Sequence, residues 1–446
     1  MPRTEAIPDL CIIGASEAGL AACLGAVALG LSCVLVDDGD PSGLDNPDLL
    51  LATLAHAAAE PAGRVEAWRS VRKALAQAAP ERRHARFAAM NVRIVRGIAR
   101  FGDATTLLSG GETIRARRFF IATGGVQPGW DSVEALPPEA RPSITDLARL
   151  DDAPRDMLVV GGGPRAVSAA QSLARLGTRV TLAAPTLLPG FDPELAAPLV
   201  AGLRRDGVQL RSTLLQAAHP APGGITARFA DGTGMVASHL LLAEDGRPAL
   251  KALDLERAGV AREDGSLVLD AGLRTTRRHI LAVGRAAGAA SSAEGIAQAG
   301  HALRAAFLPV PQRFRAELVP SVTATQPQIA TVGRVMEGTG ALVWRWPLEQ
   351  TGGGALFGTS EGQIKVTTDR RGRILHAGLV GPQVRDLVPF WTLALSRGLT
   401  LGQLAGMAVP VPSLSEAVRS IAVQDLGRRL GSPWVRRMLQ AARWLG

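Results

Sequence analysis

The run from Leu10 to Asp38, LCIIGASEAGLAACLGAVALGLSCVLVDD, constrains the fold more than any other stretch of this chain. Leu10–Ile13 is a short apolar run closed by glycine, which reads as a buried strand. Gly14-Ala15-Ser16-Glu17-Ala18-Gly19 is a glycine-spaced turn, and the Ala/Leu-rich run after it is long enough for a helix. Ser32–Val36 is a second apolar strand, and it ends on Asp37. Strand, turn, helix, strand and acid at this spacing form the dinucleotide-binding βαβ unit. Gly14 permits the tight turn, and Gly19 lets the helix pack close to the strand. The helix N-terminus aims unpaired N–H groups and its positive dipole end at a pyrophosphate. Asp37 can accept hydrogen bonds from ribose hydroxyls. Ser16 stands where the second glycine is expected. Its Cβ crowds the approach to phosphate, but serine is small and can donate a hydrogen bond, so the site tolerates it.

The unit recurs. Met157–Ala184 reads LVV, GGGPRA, a helical run and RVTLAA; Gly14 to Asp37 and Gly161 to Ala184 are both 23 residues apart. Two dinucleotide folds therefore lie in one chain. Between them, Pro41 to Glu60 reads as a loop and then a helix starting near Pro47, and Gln77–Arg83 closes a charged, Ala-rich helical stretch. MNVRIVRGIARF follows, then a glycine hairpin around Ser109-Gly110-Gly111. ARRFFIATGG reads as a buried strand ending in small residues, suited to close passage over a cofactor.

A chain of 446 residues with 47% hydrophobic content has ample core for two to four domains. The net charge is +9, carried almost wholly by arginine, since Lys73, Lys251 and Lys365 are the only lysines. Such a balance can mark nucleic-acid binding. Here the arginines are scattered, tyrosine is absent and no aromatic–basic reader motif occurs, so nucleic acid is not expected as a partner. MPRTEAIPDL lacks a signal pattern. Gly19–Val36 is long enough for a membrane span, but the glycine turn before it and Asp37 after it favour helix plus buried strand. Cys11, Cys23 and Cys33 all fall in the first βαβ unit, none at metal or CxxC spacing, and read as small core hydrophobes. The expected compartment is a reducing cytoplasm.

Over nearly its full length the chain resembles the two-dinucleotide flavoprotein disulfide reductases, close to dihydrolipoamide dehydrogenase and mercuric reductase. The segments that carry the resemblance come in family order. The first fingerprint is followed by Arg96-Gly97-Ile98-Ala99-Arg100-Phe101, Ile121-Ala122-Thr123-Gly124-Gly125 and the second fingerprint. Then come LLLAEDGRPAL, LDLERAGV, LRTTRRHILAVGR, VPSVTATQPQIATVG, GRILHAGLVGP and PVPSLSEAV. The resemblance implies an α/β fold with two Rossmann-like domains, for FAD and NAD(P), and a C-terminal α+β dimerisation domain. The expected divisions are an FAD domain over residues 1–148, an NAD(P)-like domain over 149–269, a return to the FAD domain over 270–311, a dimerisation domain over 312–430 and a tail over 431–446. It also implies that Gly14, Ser16 and Gly19 meet the FAD pyrophosphate and Asp37 its adenosine ribose. Gly97–Ala99 would meet the adenine, and Ala122, Thr123 and Gly124 would lie along the cofactor. Gly284 and Arg285 stand at the family's ribityl-binding position, and Gly161 and Gly163 at the nicotinamide-nucleotide turn.

The departures from the family pattern define the functional expectation. The family's chemistry needs two cysteines four residues apart on the helix after the first βαβ unit. Thiol–disulfide exchange needs a thiolate, and Pro41–Thr53 contains neither cysteine nor lysine. The family's catalytic His is replaced by Val411 in Val411-Pro412-Ser413-Leu414-Ser415-Glu416, so Glu416 reads as a capping or surface carboxylate. Ala184 stands where an acid would hold the NADH ribose and Ser168 where the family has glutamate. Losing the acid forfeits roughly 1–3 kcal/mol, so NAD(P)H binding is expected to be weak or absent. Arg285 replaces the family aspartate. It either swings toward the FAD pyrophosphate or marks a decaying site, and retained FAD is the favoured reading. In the tail, Trp434, Met438, Ala441 and Leu445 share one helical face and Arg436, Gln440 and Arg443 the other. Such a helix either docks on the protein body or contacts an anionic membrane surface. The expectation is a homodimeric FAD-dependent oxidoreductase without disulfide chemistry, with an unassigned acceptor; the rival is a non-catalytic, FAD-binding or empty scaffold.

Overall fold

The computed structural model describes residues 7–38, 46–59, 64–78, 84–126, 133, 135–243, 246–309, 313–334, 340–358 and 361–431, together with 437, 438, 440, 441 and 443. The loop before Asn46, the end of the Gln77–Arg83 stretch, and Trp434, Arg436 and Leu445 of the tail face lie outside these residues. Met438, Gln440, Ala441 and Arg443 are exposed. The chain divides into two compact units, Met1–Leu187 with Gly207–Ala316, and Leu188–Asp206 with Glu317–Gly446.

The first unit is built on a parallel five-stranded sheet. β1 (Leu10–Ile13) and β2 (Cys33–Asp37) flank α1 (Glu17–Ala28), as the sequence predicts. Strand order across the sheet is Ile280–Ala282, Phe119–Ile121, β1, β2 and then β3 (Arg93–Arg96), with Leu10 paired to Cys33 and Ile13 to Val36. Alternate β1 residues serve opposite faces. Leu10 and Ile12 pack with Ala22, Cys23, Ala26 and Phe120. Cys11 and Ile13 pack with Val36, Phe101 and Ile121. Burial on both faces is why these strands are continuous apolar runs rather than alternating ones. The second βαβ unit forms a four-stranded parallel sheet, Gln209–Arg211, Arg179–Ala183, Asp156–Val160 and His239–Leu242, with its helix over Pro164–Arg175. Two three-stranded and two two-stranded antiparallel sheets also lie in this unit among the described residues. One carries the hairpin at Ser109–Gly111, where Gly110 and Gly111 take φ of +57° and +79°.

The second unit is an antiparallel five-stranded sheet, in the order Ser321–Val322, Gln328–Gly333, Ile374–Gly381, Gln363–Thr368 and Leu342–Pro347. Helices Val384–Ser396 and Glu416–Leu430 bury Trp391, Val388, Ile421 and Ala422 in its core. Helix Pro193–Arg205 also belongs here: a Cβ on Gly378 would lie 2.3 Å from Leu195 Cδ1, so the helix packs directly on the strand backbone at that point. At its start, Lys365 Nζ lies 2.5 Å from Asp192 and 2.7 Å from Glu194, and Arg345 binds Glu194 through both oxygens at 2.7 and 2.9 Å. The hydrogen bond from Arg345, with those from Lys365 and Gln363, outweighs burial and pulls the Glu194 carboxyl down to about 2.

Candidate cofactor site

The phosphate end of the site is a cradle of backbone with no room for side chains. Gly14 takes φ +104° and donates its N–H to Val36 O at 2.7 Å. A Cβ there would lie 2.5 Å from Ala122 O, and one on Gly19 only 2.1 Å from Gly14 O. Both fingerprint glycines are thus required by close approach. Ser16 caps α1, its Oγ accepting from Gly19 N at 3.4 Å. That leaves its hydroxyl proton to donate elsewhere. Gly284, at φ +68°, comes up against the same turn, where an added Cβ would sit 2.9 Å from Ala18 Cβ and 3.8 Å from Ser16 Oγ. The Gly284 amide is held by Gln298 Oε1 at 2.9 Å. Ala122 follows the central strand, and Thr123 Oγ1 is buried without a hydrogen-bond partner among the described residues. Gly124 takes φ +74°, and its carbonyl accepts from Ala249 N at 3.2 Å. A turn in which Gly14, Gly19 and Gly284 leave no space for a Cβ, a helix N-terminus and an orphaned buried hydroxyl fit the phosphate-bearing part of a dinucleotide.

The ribose end is different. Asp37, only 7% exposed, takes Ala15 N on Oδ1 at 3.4 Å and His84 Nε2 on Oδ2 at 2.9 Å. No sequence pattern marks His84, which lies 47 residues away and meets Asp37 only through the fold. Gly97 is also engaged inside the protein. Its N–H donates to Asp37 O at 3.1 Å and its carbonyl accepts from Ser109 Oγ at 2.9 Å. Its φ of +142° serves the hairpin, since a Cβ would meet Gly110 N at 2.8 Å. Ala99 is buried and Ile98 exposed. The Arg285 side chain runs over Gly125, where an added Cβ would lie 2.6 Å from Arg285 Cγ.

At the second fingerprint, Gly161 takes φ +130°. A Cβ on Gly162 would collide with Thr186 O at 2.0 Å and approach Ala184 Cβ at 3.3 Å. Gly163 caps the helix, with open space where its Cβ would be. Ala184 is buried, and Ser168 turns its hydroxyl onto its own helix, donating to Pro164 O at 2.7 Å.

The segment that carries cysteines in the family begins, among the described residues, with α2 (Pro47–Ala57). Asn46 caps α2 through Leu49 N at 3.0 Å and donates to Glu17 in the first turn of α1. Asp48 binds Arg165 Nε at 2.9 Å and Ser292 N at 2.8 Å. The three cysteines are buried and unbridged; burial raises the Cys11 thiol, and the contact with Cys33 Sγ at 3.9 Å together with burial raises that of Cys23. Neither is a ready nucleophile. Glu416 accepts from Ser413 N at 2.7 Å and Gly352 N at 3.4 Å. Val411 is 72% exposed. Among the described residues no His/Cys/Asp/Glu group could hold a metal ion, and no helix is long and apolar enough to cross a membrane.

Two dinucleotide-binding modules and an antiparallel module define a class of two-nucleotide oxidoreductases. Family models agree: residues 8–306 match pyridine nucleotide-disulphide oxidoreductase, and residues 319–422 match the dimerisation domain of the same group. The chain belongs to the pyridine nucleotide-disulphide oxidoreductase family, whose members bind FAD. It is 31% identical to a dihydrolipoyl dehydrogenase of Thermus scotoductus over 74% of this chain and 75% of that protein. It is 30% identical to a mercuric reductase of Streptomyces lividans over 93% of this chain and 95% of that one. Its fold matches LpdA of Mycobacterium tuberculosis with a TM-score of 0.84 at 22% identity, covering 96% of this chain and all of that one. The HOCl-induced flavoprotein disulfide reductase RclA of Escherichia coli matches with a TM-score of 0.82 at 22% identity, over 93% of this chain and 99% of that one.

Proposed function

We propose that this protein is an FAD-dependent oxidoreductase that delivers electrons to a non-disulfide acceptor such as a quinone or oxygen. When bound, flavin supplies the electron-transfer chemistry, needing from the protein only positioning and access. Gly14, Ser16, Gly19 and Gly284 would hold its pyrophosphate region, with Ala122, Thr123 and Gly124 along it and Asp37 at the ribose. The observation that carries the reading is the absence of cysteine from residues 41–57, with all three thiols sealed in the first βαβ core. A thiolate cannot come to the flavin from there without unfolding the sheet.

Binding of a reduced nicotinamide at the second fingerprint is weak in this reading. Ala184 has no side-chain acceptor for a ribose, and Ser168 is already bonded to its own helix. The homodimer follows from the C-terminal module's family, and the compartment is the cytoplasm.

The test is an absorption spectrum of purified protein supplied with FAD, followed by turnover assays. A flavin spectrum near one per chain is expected, with no reduction of lipoamide, glutathione or mercuric ion above the free-flavin background. Turnover of any of these by the purified chain would defeat the proposal. A folded protein that takes up no FAD would instead favour the empty scaffold.

A further inference from the structure

We propose that His84 is an internal latch on the ribose end of the site, holding the Asp37 carboxylate until an adenosine ribose displaces it. The inference rests on the FAD reading above. In a dinucleotide site of this kind the acid at the end of the second strand must accept from ribose hydroxyls. Here both oxygens are already turned inward, Oδ1 toward Ala15 N and Oδ2 toward His84 Nε2. Both side chains are nearly buried, with Asp37 7% and His84 8% exposed. A ribose hydroxyl that bonds Oδ2 on this side takes the place of His84 Nε2.

The imidazole is built to move. Its Nδ1 is buried with no hydrogen-bond partner among the described residues, so Asp37 is the polar anchor of the ring. A histidine kept only for architecture ordinarily has both ring nitrogens satisfied, because a buried unpaired polar atom is costly. His84 also occupies the first position of the short helix His84–Ala89, whose hold on the core is Phe87, 1% exposed. Rotation at His84 therefore breaks one hydrogen bond and leaves the helix anchored. Displacing a bond to a charged acceptor weakens ligand binding by roughly tenfold or more.

The experiment is a fluorescence titration of cofactor-free protein with FAD, comparing the parent with His84→Leu, His84→Gln, Asp37→Asn and the Asp37→Asn/His84→Leu pair. His84→Leu keeps the volume and removes the donor, and should bind FAD about tenfold more tightly. His84→Gln retains a donor and should stay within a few-fold of the parent. In the double variant the gain should vanish, because the released carboxylate is gone. Should His84→Leu fail to fold, His84→Phe carries the same expectation. A folded His84→Leu or His84→Phe that binds no tighter than a FAD-binding parent overturns the latch. FAD binding by neither the parent nor any variant overturns the FAD reading itself, and the latch with it.

Discussion

Asp48 and Arg165, 117 residues apart in sequence, form a two-point ion pair at 2.9 and 3.4 Å, and the same carboxylate accepts from Ser292 N at 2.8 Å. One side chain therefore ties the first turn of α2 to the starts of helices Pro164–Arg175 and Ser292–Phe307. At the start of α2 the Asp48 carboxylate is a structural charge.

Replacing Asp48 with Asn should lower stability by about 2 kcal/mol, between the values for exposed and buried ion pairs. Burial alone would raise the Asp48 carboxyl, but the charge and hydrogen bonds of Arg165 with the bonds from Ser292 hold it below the usual 3.8. The group therefore contributes stability above about pH 4, lost as pH falls through its folded value. Thermal melts from pH 7 to pH 3 should converge for parent and Asp48→Asn at the acid end. Parallel curves would show that the carboxylate charge plays no part.

His376 gives a second pH signature, in the C-terminal unit. It is 2% exposed and bonds Thr331 Oγ1 at 2.8 Å through Nε2. Burial lowers its pKa from 6.5 to about 4, with Lys365 adding to the fall and Asp192 opposing it. The unfolded chain takes up a proton near pH 6.5 while the folded one refuses it until about pH 4. Stability should therefore decline across that window, by roughly 3 kcal/mol at its lower end. Denaturant titrations at pH 7, 5.5 and 4 measure the decline, and His376→Gln should flatten it. An equal slope in the variant would assign the effect to other groups.

These two pairs also show where sequence reading stops. β1, α1, β2 and their repeat were legible because glycine spacing, apolar runs and the terminal acid are local signals. Gly14 and Gly19 proved to be required by contacts of 2.5 and 2.1 Å that the spacing alone implied. The absence of cysteine from residues 41–57 was legible in the sequence itself. His84 on Asp37, Arg165 on Asp48 and the Glu194 network were not. Each joins residues from 47 to 171 positions apart, and nothing local marks either partner. Gly97 was read only for its expected place against the adenine; its packing on the Ser109–Gly110 hairpin tip joins residues 12 or more apart and has no local mark.

Arg285 bears on FAD retention. Its side chain crosses Gly125, one residue beyond the Ala122–Gly124 passage. A guanidinium there can bind phosphate with paired donors, which lysine cannot copy. Arg285→Ala should weaken FAD binding by about tenfold, the effect of one bond to a charged group. Equilibrium dialysis against FAD reads it directly. Parent-like retention in both Arg285→Ala and Arg285→Asp would make Arg285 a bystander.

The last prediction is the dimer. The C-terminal unit holds a five-stranded antiparallel sheet packed by helices Pro193–Arg205, Val384–Ser396 and Glu416–Leu430. It also leaves large apolar side chains in solvent: Leu356 is 68%, Leu393 56%, Phe357 45% and Val411 72% exposed. Isolated exposed apolar residues need no explanation, but several on a module of the dimerisation family call for cover. An obligate dimer buries more than about 2,000 Å². We expect a stable homodimer whose assembly does not require FAD, because these residues belong to the C-terminal unit and not to the nucleotide fingerprints. Light scattering at micromolar concentration should give twice the chain mass with and without FAD. Val411→His should leave that mass unchanged and restore no disulfide reductase activity, since the variant supplies the imidazole but not the thiols. A monomer at that concentration, or a dimer formed only with FAD, would refute the claim.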